Sequence, residues 1–327
     1  MNSTDPHPYS ALTPDCVLDA LESVGIRGDG RMLPLGSYEN RVYQVWRENA
    51  LPVVTKFYRP GRWTDDQILE EHAFVDQLAA QEIPVVAPLV LQGRTLHRFA
   101  DFRFAVYPRR GGRAPELEQR GTLEQLGRFI GRLHAVGAAR AFRHRPTLTI
   151  EAFGDESRDY LLAHDFIPGD IRAAWKSVIE EALQRVRRAF ANRRIDTLRL
   201  HGDCHGGNVL WTDDGPHFVD FDDARTGPAI QDLWMLLSGD RAAMESQLGV
   251  VLQGYETFRE FDRRELALIE PLRTLRLLHY SAWLARRWDD LAFPAAFPWF
   301  NTQRYWQDRI LELREQIALM EEPPLAA

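Results

Sequence analysis

The sequence predicts an α+β chain of two lobes, a small N-terminal one of antiparallel strands with a helix and a larger, mainly helical C-terminal one. Three observations lead there. The 327 residues exceed what one small module needs and suit two cores, of about one hundred and about two hundred residues. Strand-like runs, MLPLGSYENRVYQVW, PVVTKFYRP and FRFAVY, lie before residue 108, whereas later stretches repeat apolar residues at helical spacing. The pattern breaks at PRRGGR, so the lobes are placed at residues 1–107 and 114–327 with a hinge at 108–113.

In chain order, TPDCVLDALESV (13–24) opens with a Thr cap and a Pro at the first helical position, then sets Val17, Leu21 and Val24 on one face. MLPLGSYENRVYQVW reads as strand, turn and strand. Its turn, Gly36 to Asn40, has small residues and exposed backbone N–H groups of the kind that can cover nucleotide phosphates. Taken alone it is more simply an ordinary hairpin, because no G-x-G-x-x-G, Walker A or Rossmann fingerprint is present.

PVVTKFYRP is a strand carrying Lys56, and WTDDQILEEHAFVDQLAA follows as a helix whose Thr64 and Gln67 have capping-box spacing. A strand lysine and then a helix glutamate is the kinase order, in which the lysine contacts the α/β phosphates and the glutamate positions it. Glu71 is the expected partner. Glu70, about 100° away around the helix, competes with it, and a solvated helix face is the plainer account of either. Lys56 stands out by composition as well. Of 40 basic residues only Lys56 and Lys176 are lysine, and a chain this rich in arginine keeps lysine where a planar guanidinium will not serve. Lys176, in RAAWKSVIEEALQRV, reads as a solvated helix residue.

Beyond the hinge, Leu123, Leu126, Ile130 and Leu133 form one helical stripe, and Trp175, Val178, Ile179, Val186 and Phe190 another. His134 is read as a structural, packed or hydrogen-bonded group. The most chemistry lies in LRLHGDCHGGNVLWTDDGPHFVDFDD (198–223). Val209-Leu210-Trp211 and His217-Phe218-Val219 flank the turn Thr212 to Gly215, a β-hairpin pattern. A hairpin folds its ends together, so Asn208 before it and Asp220 after it should lie side by side. They would offer an amide oxygen and a carboxylate to Mg²⁺, a hard cation that fills its other positions with water and phosphate. His201, Asp203 and Asn208, followed by Asp220, also reproduce the order and spacing of kinase catalytic loops of the form H-x-D-x-x-x-x-N. There the first Asp orients or accepts the attacking hydroxyl, the Asn holds metal and the later Asp bridges metal and phosphates. An acidic surface turn is the plain alternative. It suits Asp213 and Asp214 and could suit Asp222 and Asp223, but it does not account for the whole constellation.

Composition excludes several classes. With a net charge of −7, no basic run and no RNP-type motif, a nucleic-acid partner is not expected. MNSTDPHPYSALTPDC has neither a cationic start nor an apolar h-region, and no apolar stretch approaches the roughly 20 residues that span a bilayer, so a cytoplasmic protein without membrane partners is expected. The two cysteines, Cys16 and Cys204, make no disulfide framework or C-x-x-C motif, and Cys204 is read as a residue chosen for fit. The aromatics Tyr280, Trp283, Trp288, Trp299 and Trp306 could cage a quaternary ammonium. Core packing is favoured because Tyr280 and Trp283 share a helical stripe with Leu277 and Leu284.

HGDCHGGNVLW followed by FVDFDDARTGPAIQDLW resembles the aminoglycoside phosphotransferase and choline kinase superfamily, relatives of the protein kinases. SYENRVYQVW, VVTKFYRPGRWTDDQILEEH, LIEPLR, RRWDD and FPWF extend the resemblance over nearly the whole chain, and are similar to the bacterial stress-response Ser/Thr protein kinases. The resemblance implies a two-lobed protein-kinase-like fold, ATP as co-substrate and Mg²⁺ as cofactor. It also implies Asp203 as proton acceptor, Asn208 and Asp220 as metal ligands, Ser37 as a phosphate-side contact, and adenine contacts at the Tyr107 carbonyl and the Arg109 N–H. Asp232 would hold the backbone of the catalytic loop. Asp222 stands where protein kinases have the Gly of D-F-G, which leaves its role open. The expected reaction is transfer to Ser/Thr of proteins, the enzyme itself included, by a monomer. The alternatives are a kinase acting on choline, homoserine or an aminoglycoside, and a nucleotide-binding pseudokinase scaffold. The scaffold is disfavoured because Lys56, Asp203, Asn208 and Asp220 are all present.

Overall fold

The computed structural model describes residues 8–191 and 193–326; the first seven residues, part of the stretch in which no leader is expected, lie outside the described residues. The chain divides into two compact units. One comprises the described part of Met1–Glu116 with Phe142–Arg145 and His205–Ala224, and the other Leu117–Ala141, Pro146–Cys204 and the described part of Arg225–Ala327.

In the first unit, α1 (Pro14–Ser23) begins as its sequence dictates, the Thr13 side chain accepting the Cys16 N–H. It is followed by β1 (Gly28–Leu35), β2 (Arg41–Arg47), β3 (Ala50–Phe57), α2 (Asp65–Ala80), β4 (His97–Phe99) and β5 (Phe102–Pro108). The strands pair antiparallel in the order β1-β2-β3-β5-β4. Strand periodicity separates the two faces of this sheet. Val45, Val53, Phe57, Phe102, Phe104 and Val106 pack with Val17, Ala20 and Leu21 of α1 on one side, each fully buried large side chain being worth about 1.5–3 kcal/mol. Val42, Gln44, Val54, Lys56 and Tyr107, one residue out of phase, line a cavity. Lys56 therefore reaches the cavity by parity alone. Both arms of the Thr64/Gln67 capping box form at the start of α2.

The second unit begins with α3 (Arg120–Ala138), α4 (Glu156–Ala163), α5 (Arg172–Ala191) and the short strand β6 (Leu198–Leu200). The first unit then includes the hairpin β7 (Val209–Thr212) and β8 (Gly215–Phe218), paired from Val209–Phe218 to Thr212–Gly215. Its second strand starts at Gly215, earlier than the expected His217, because the left-handed φ of 106° at this glycine closes a two-residue turn at Asp213-Asp214. The remaining elements, β9 (Arg225–Gly227), α6 (Ile230–Leu233), α7 (Arg241–Tyr255), α8 (Ile269–Ala285), α9 (Ala292–Ala296) and α10 (Gln303–Leu319), belong to the second unit, where β9 pairs antiparallel with β6.

The Leu123, Leu126, Ile130 and Leu133 stripe is buried, as are Trp175, Val178, Ile179 and Val186. Helices α3 and α7 meet backbone to backbone: a Cβ on Gly127 would stand 2.1 Å from the Val251 carbonyl oxygen, and one on Gly254 would stand 2.0 Å from that of Glu124. The C-terminal aromatics pack on one another. Trp306 meets Trp175 edge-on at 6.1 Å, and Trp283 stacks on Tyr280 at 5.6 Å. Among the described residues no helix is long and apolar enough to cross a membrane.

Candidate active site

A cavity of about 440 Å³ in the first unit is lined by Ser37, Lys56, Glu71, Tyr107, Arg109, Asn208 and Asp220, a size suited to a small ligand. Hairpin closure joins its last two members. The Val219 N–H donates to the Asn208 carbonyl at 3.0 Å, so the residue before β7 and the residue after β8 stand together, as the turn pattern requires. Asp220 adopts a left-handed backbone, φ 58° and ψ 64°, a conformation costly for a non-glycine residue and concentrated at functional sites.

Lys56 is the electrostatic centre of the cavity. Its ammonium lies 3.0 Å from Asp220 Oδ1 and 3.2 Å from Asp222 Oδ1. Burial opposes the charge, but Asp220 and Asp222, with Glu71 behind them, outweigh it and hold the ammonium pKa above its ordinary value. The expected Lys56–Glu71 ion pair is not made, because the turn at 220–222 brings two carboxylates to this ammonium instead. Among the described residues Glu71 Oε2 has no hydrogen-bond partner, and it lies 4.0 Å from Arg145. Burial pushes the Glu71 carboxyl up, against the pull of Lys56. Its competitor Glu70 does something else, accepting the backbone N–H groups of Arg143, His144 and Arg145 at 2.7–2.8 Å.

Asp222 resolves into a buried anchor. Burial alone would raise its pKa, but Arg62 and Lys56 hold it down to about 2. Arg62 spans Asp222 and, at 2.9 Å, Asp223, and lies 3.8 Å from Glu39, at the base of the Gly36 to Asn40 turn. Arg145 donates to the carbonyls of Asp222 and Ala224. Both guanidiniums lie over the Trp63 ring, at 5.0 and 4.2 Å. The sequence reading missed Arg62 and Arg145. Nothing local marks them among 38 arginines.

A chain of neutral polar groups runs inward from Tyr107 on the cavity wall. Tyr107 Oη meets Tyr58 Oη at 3.1 Å, Tyr58 Oη meets His72 Nε2 at 2.7 Å, and His72 Nδ1 meets Thr95 Oγ1 at 2.9 Å. Burial, reinforced by Lys56, pushes His72 down to about 3, so the ring is uncharged.

Asp203 lies in the second unit. The Asp232 carboxylate, fully buried, accepts the His201 and Gly202 N–H groups at 2.8 and 2.9 Å and meets His134 Nε2 at 3.1 Å. Asp232 thus holds the backbone leading into Asp203, and His134 has a structural role. Gly202 needs its glycine, with φ at 87°. Cys204 is buried, and burial together with the Asp232 and Asp203 charges pushes its thiol up, which suits a packed residue rather than a reactive one.

Asn208 and Asp220 fit a hard divalent cation. Both offer oxygen donors on the cavity wall, and the Asp220 side chain is 49% exposed. Among the described residues no group of three or more His, Cys, Asp or Glu side chains could enclose a metal. Such a pair suits an ion that completes its shell with water and phosphate oxygens.

Comparison with known proteins identifies the family. The model of the phosphotransferase enzyme family matches residues 31–269. Stress response kinase A of Escherichia coli (strain K12) is 48% identical over 317 residues, covering 97% of this chain and 96% of that protein. A serine/threonine protein kinase, RdoA, of Salmonella typhimurium is 46% identical over 319 residues, with the same coverage. Among solved structures, amicoumacin kinase hAmiN in complex with AMP-PNP, Ca²⁺ and Ami matches with a TM-score of 0.73 at 21% identity over 95% of this chain and 94% of that one. A microcompartment-associated aminopropanol kinase matches with 0.72 at 18% identity over 94% and 97%. These two share the fold. With the family model spanning most of its length and relatives named as kinases along nearly all of it, the chain belongs to the phosphotransferase enzyme family and has the two-lobed kinase-like fold.

Proposed function

We propose that this phosphotransferase moves the γ-phosphoryl group of ATP, bound with Mg²⁺, to serine or threonine hydroxyls of proteins, its own among them. The observation that carries the reading is the meeting of Lys56, Asp220 and Asn208 on one cavity wall. An ammonium there suits the α/β phosphates. Asn208 and Asp220 would hold the ion, whose chemistry is to neutralise charge on the transferring phosphate oxygens. Ser37 and the turn around it would face the phosphates, and Tyr107 and Arg109 the adenine. Asp203 accepts the proton as the hydroxyl oxygen bonds to the γ-phosphorus and the bond to the ADP oxygen breaks. General-base assistance of this kind is worth about 10²- to 10⁴-fold.

A protein acceptor is favoured by full-length likeness to a chain named as a serine/threonine protein kinase. The mutual packing of Trp283, Tyr280, Trp306 and Trp175 also leaves these rings engaged with each other. We further infer a monomer at work in the cytoplasm, without nucleic-acid or membrane partners.

The test is incubation with γ-labelled ATP, with and without Mg²⁺, using dephosphorylated casein as acceptor. Label should appear on Ser/Thr of casein or of the enzyme, and chelation should abolish it. Choline, homoserine and kanamycin should not raise ATP consumption. Strong stimulation by one of them, with no protein labelled, would make the small-molecule reading correct.

A further inference from the structure

We propose that Arg276 is a positioning residue for phosphoryl transfer, fixing the direction of the Asp203 carboxylate; this rests on the reading of Asp203 as the base. The Arg276 guanidinium, on α8, donates to Asp203 Oδ1 at 2.7 Å. The backbone before Asp203 is already held without it, by Asp232 at the His201 and Gly202 N–H groups and by the Asp203 N–H donating to His201 Nδ1 at 3.3 Å. Those bonds act on the backbone, whereas the direction of the Asp203 carboxylate is a matter of its side-chain torsions, with three wells at χ1 and a broad χ2. Arg276 selects among them from a rigid base, since Leu272, Leu275 and Leu278 bury the same stretch of α8.

Stability does not explain the pair. Its side chains are 38% and 23% exposed, and ion pairs this open to solvent contribute little to folding. Arg276 makes no other hydrogen bond or ion pair among the described residues, so its engagement is with Asp203 alone. A misplacement of about 1 Å in a catalytic group costs about 10²-fold in rate. A planar, directional guanidinium suits this task better than an ammonium, a point charge without a fixed fork.

The experiment uses the full chain with Mg·ATP and dephosphorylated casein, comparing wild type, Arg276→Ala, Arg276→Lys, Asp203→Asn and the double variant Asp203→Asn/Arg276→Ala. Arg276→Ala should lower kcat about 10²-fold with KM for ATP within about 3-fold. Arg276→Lys should recover part of the loss, and millimolar methylguanidinium should partly rescue Arg276→Ala. In the Asp203→Asn background Arg276→Ala should cost nothing further, the sign that it acts through that carboxylate. Thermal melting should be little changed. An unchanged kcat in Arg276→Ala, or an equal loss on top of Asp203→Asn, overturns the inference. If Asp203→Asn keeps the wild-type rate, the reading of the base fails, and this inference with it. If wild type labels no protein, the acceptor assignment fails by itself, and ATP consumption with water as acceptor decides on Arg276 by the same comparison.

Discussion

Lys56 Nζ lies 3.0 Å from Asp220 Oδ1, across a sequence separation of 164. The ammonium is nearly enclosed, its side chain only 8% exposed, and a second carboxylate, Asp222, stands 3.2 Å away. Lys56→Arg keeps the charge but replaces a compact group with a wide planar one in a phosphate site. The variant should fold, and its kcat/KM for ATP should fall by about 10²-fold, or roughly 3 kcal/mol. Steady-state kinetics against ATP at saturating acceptor measures this, and a wild-type value would show that any cation serves there.

Asp203 and the Asn208/Asp220 pair should separate cleanly in a binding experiment. Asp203→Ala leaves both proposed metal ligands, so Mg·ATP affinity should stay within a few-fold while turnover drops about 10²- to 10⁴-fold. Asn208→Ala and Asp220→Ala should weaken Mg²⁺-dependent nucleotide binding as well as turnover. Titration with a fluorescent ATP analogue, with and without Mg²⁺, reads both, and loss of binding in Asp203→Ala would show that the roles are wrongly divided.

What could be read from the sequence was what short-range geometry decides. Strand parity puts Lys56 on the cavity face opposite Val53 and Phe57, and a tight turn forces Asn208 beside Asp220. The Thr64 and Gln67 cap was legible for the same reason. Arg62 meets Asp222 across 160 residues and Arg276 meets Asp203 across 73, and no local pattern distinguishes either arginine from its many neighbours. That Asp220 and Asp222 stand nearer Lys56 than Glu71 does was not legible, because the order of residues along a chain does not say which of several carboxylates comes nearest. Gly127 and Gly254 stand inside helices, where glycine is ordinarily destabilising. They prove to be the places where α3 and α7 touch.

Asp232 is fully buried and serves two backbone N–H donors and His134 at once. Asp232→Asn keeps the shape but offers one oxygen where two were used, turning an NH₂ toward a donor. Leaving a buried donor unpaired at a charged acceptor site costs about 2–4 kcal/mol. The variant should show that loss in urea unfolding together with reduced turnover. Wild-type stability would mean that the loop is held by other contacts.

Glu265 gives a pH signature separate from the cavity. It is buried, 4% exposed, and its Oε2 accepts the Ile230 N–H at 2.8 Å. Burial pushes its carboxyl up from 4.5 to about 7; the Ile230 bond resists and Asp262 reinforces the rise. Between those two values the unfolded chain releases a proton that the folded chain retains. The unfolded state then binds fewer protons, so stability falls as pH rises from about 4.5 to about 7, by up to about 3 kcal/mol. Glu265→Gln retains an acceptor for Ile230 and cannot titrate. It should match wild type near pH 4.5 and be more stable than wild type at pH 8 by about 2 kcal/mol, within the same linkage. Urea melts of the two proteins at both pH values supply the comparison, and a wild-type-to-variant difference that does not change with pH would show that Glu265 is ionised throughout.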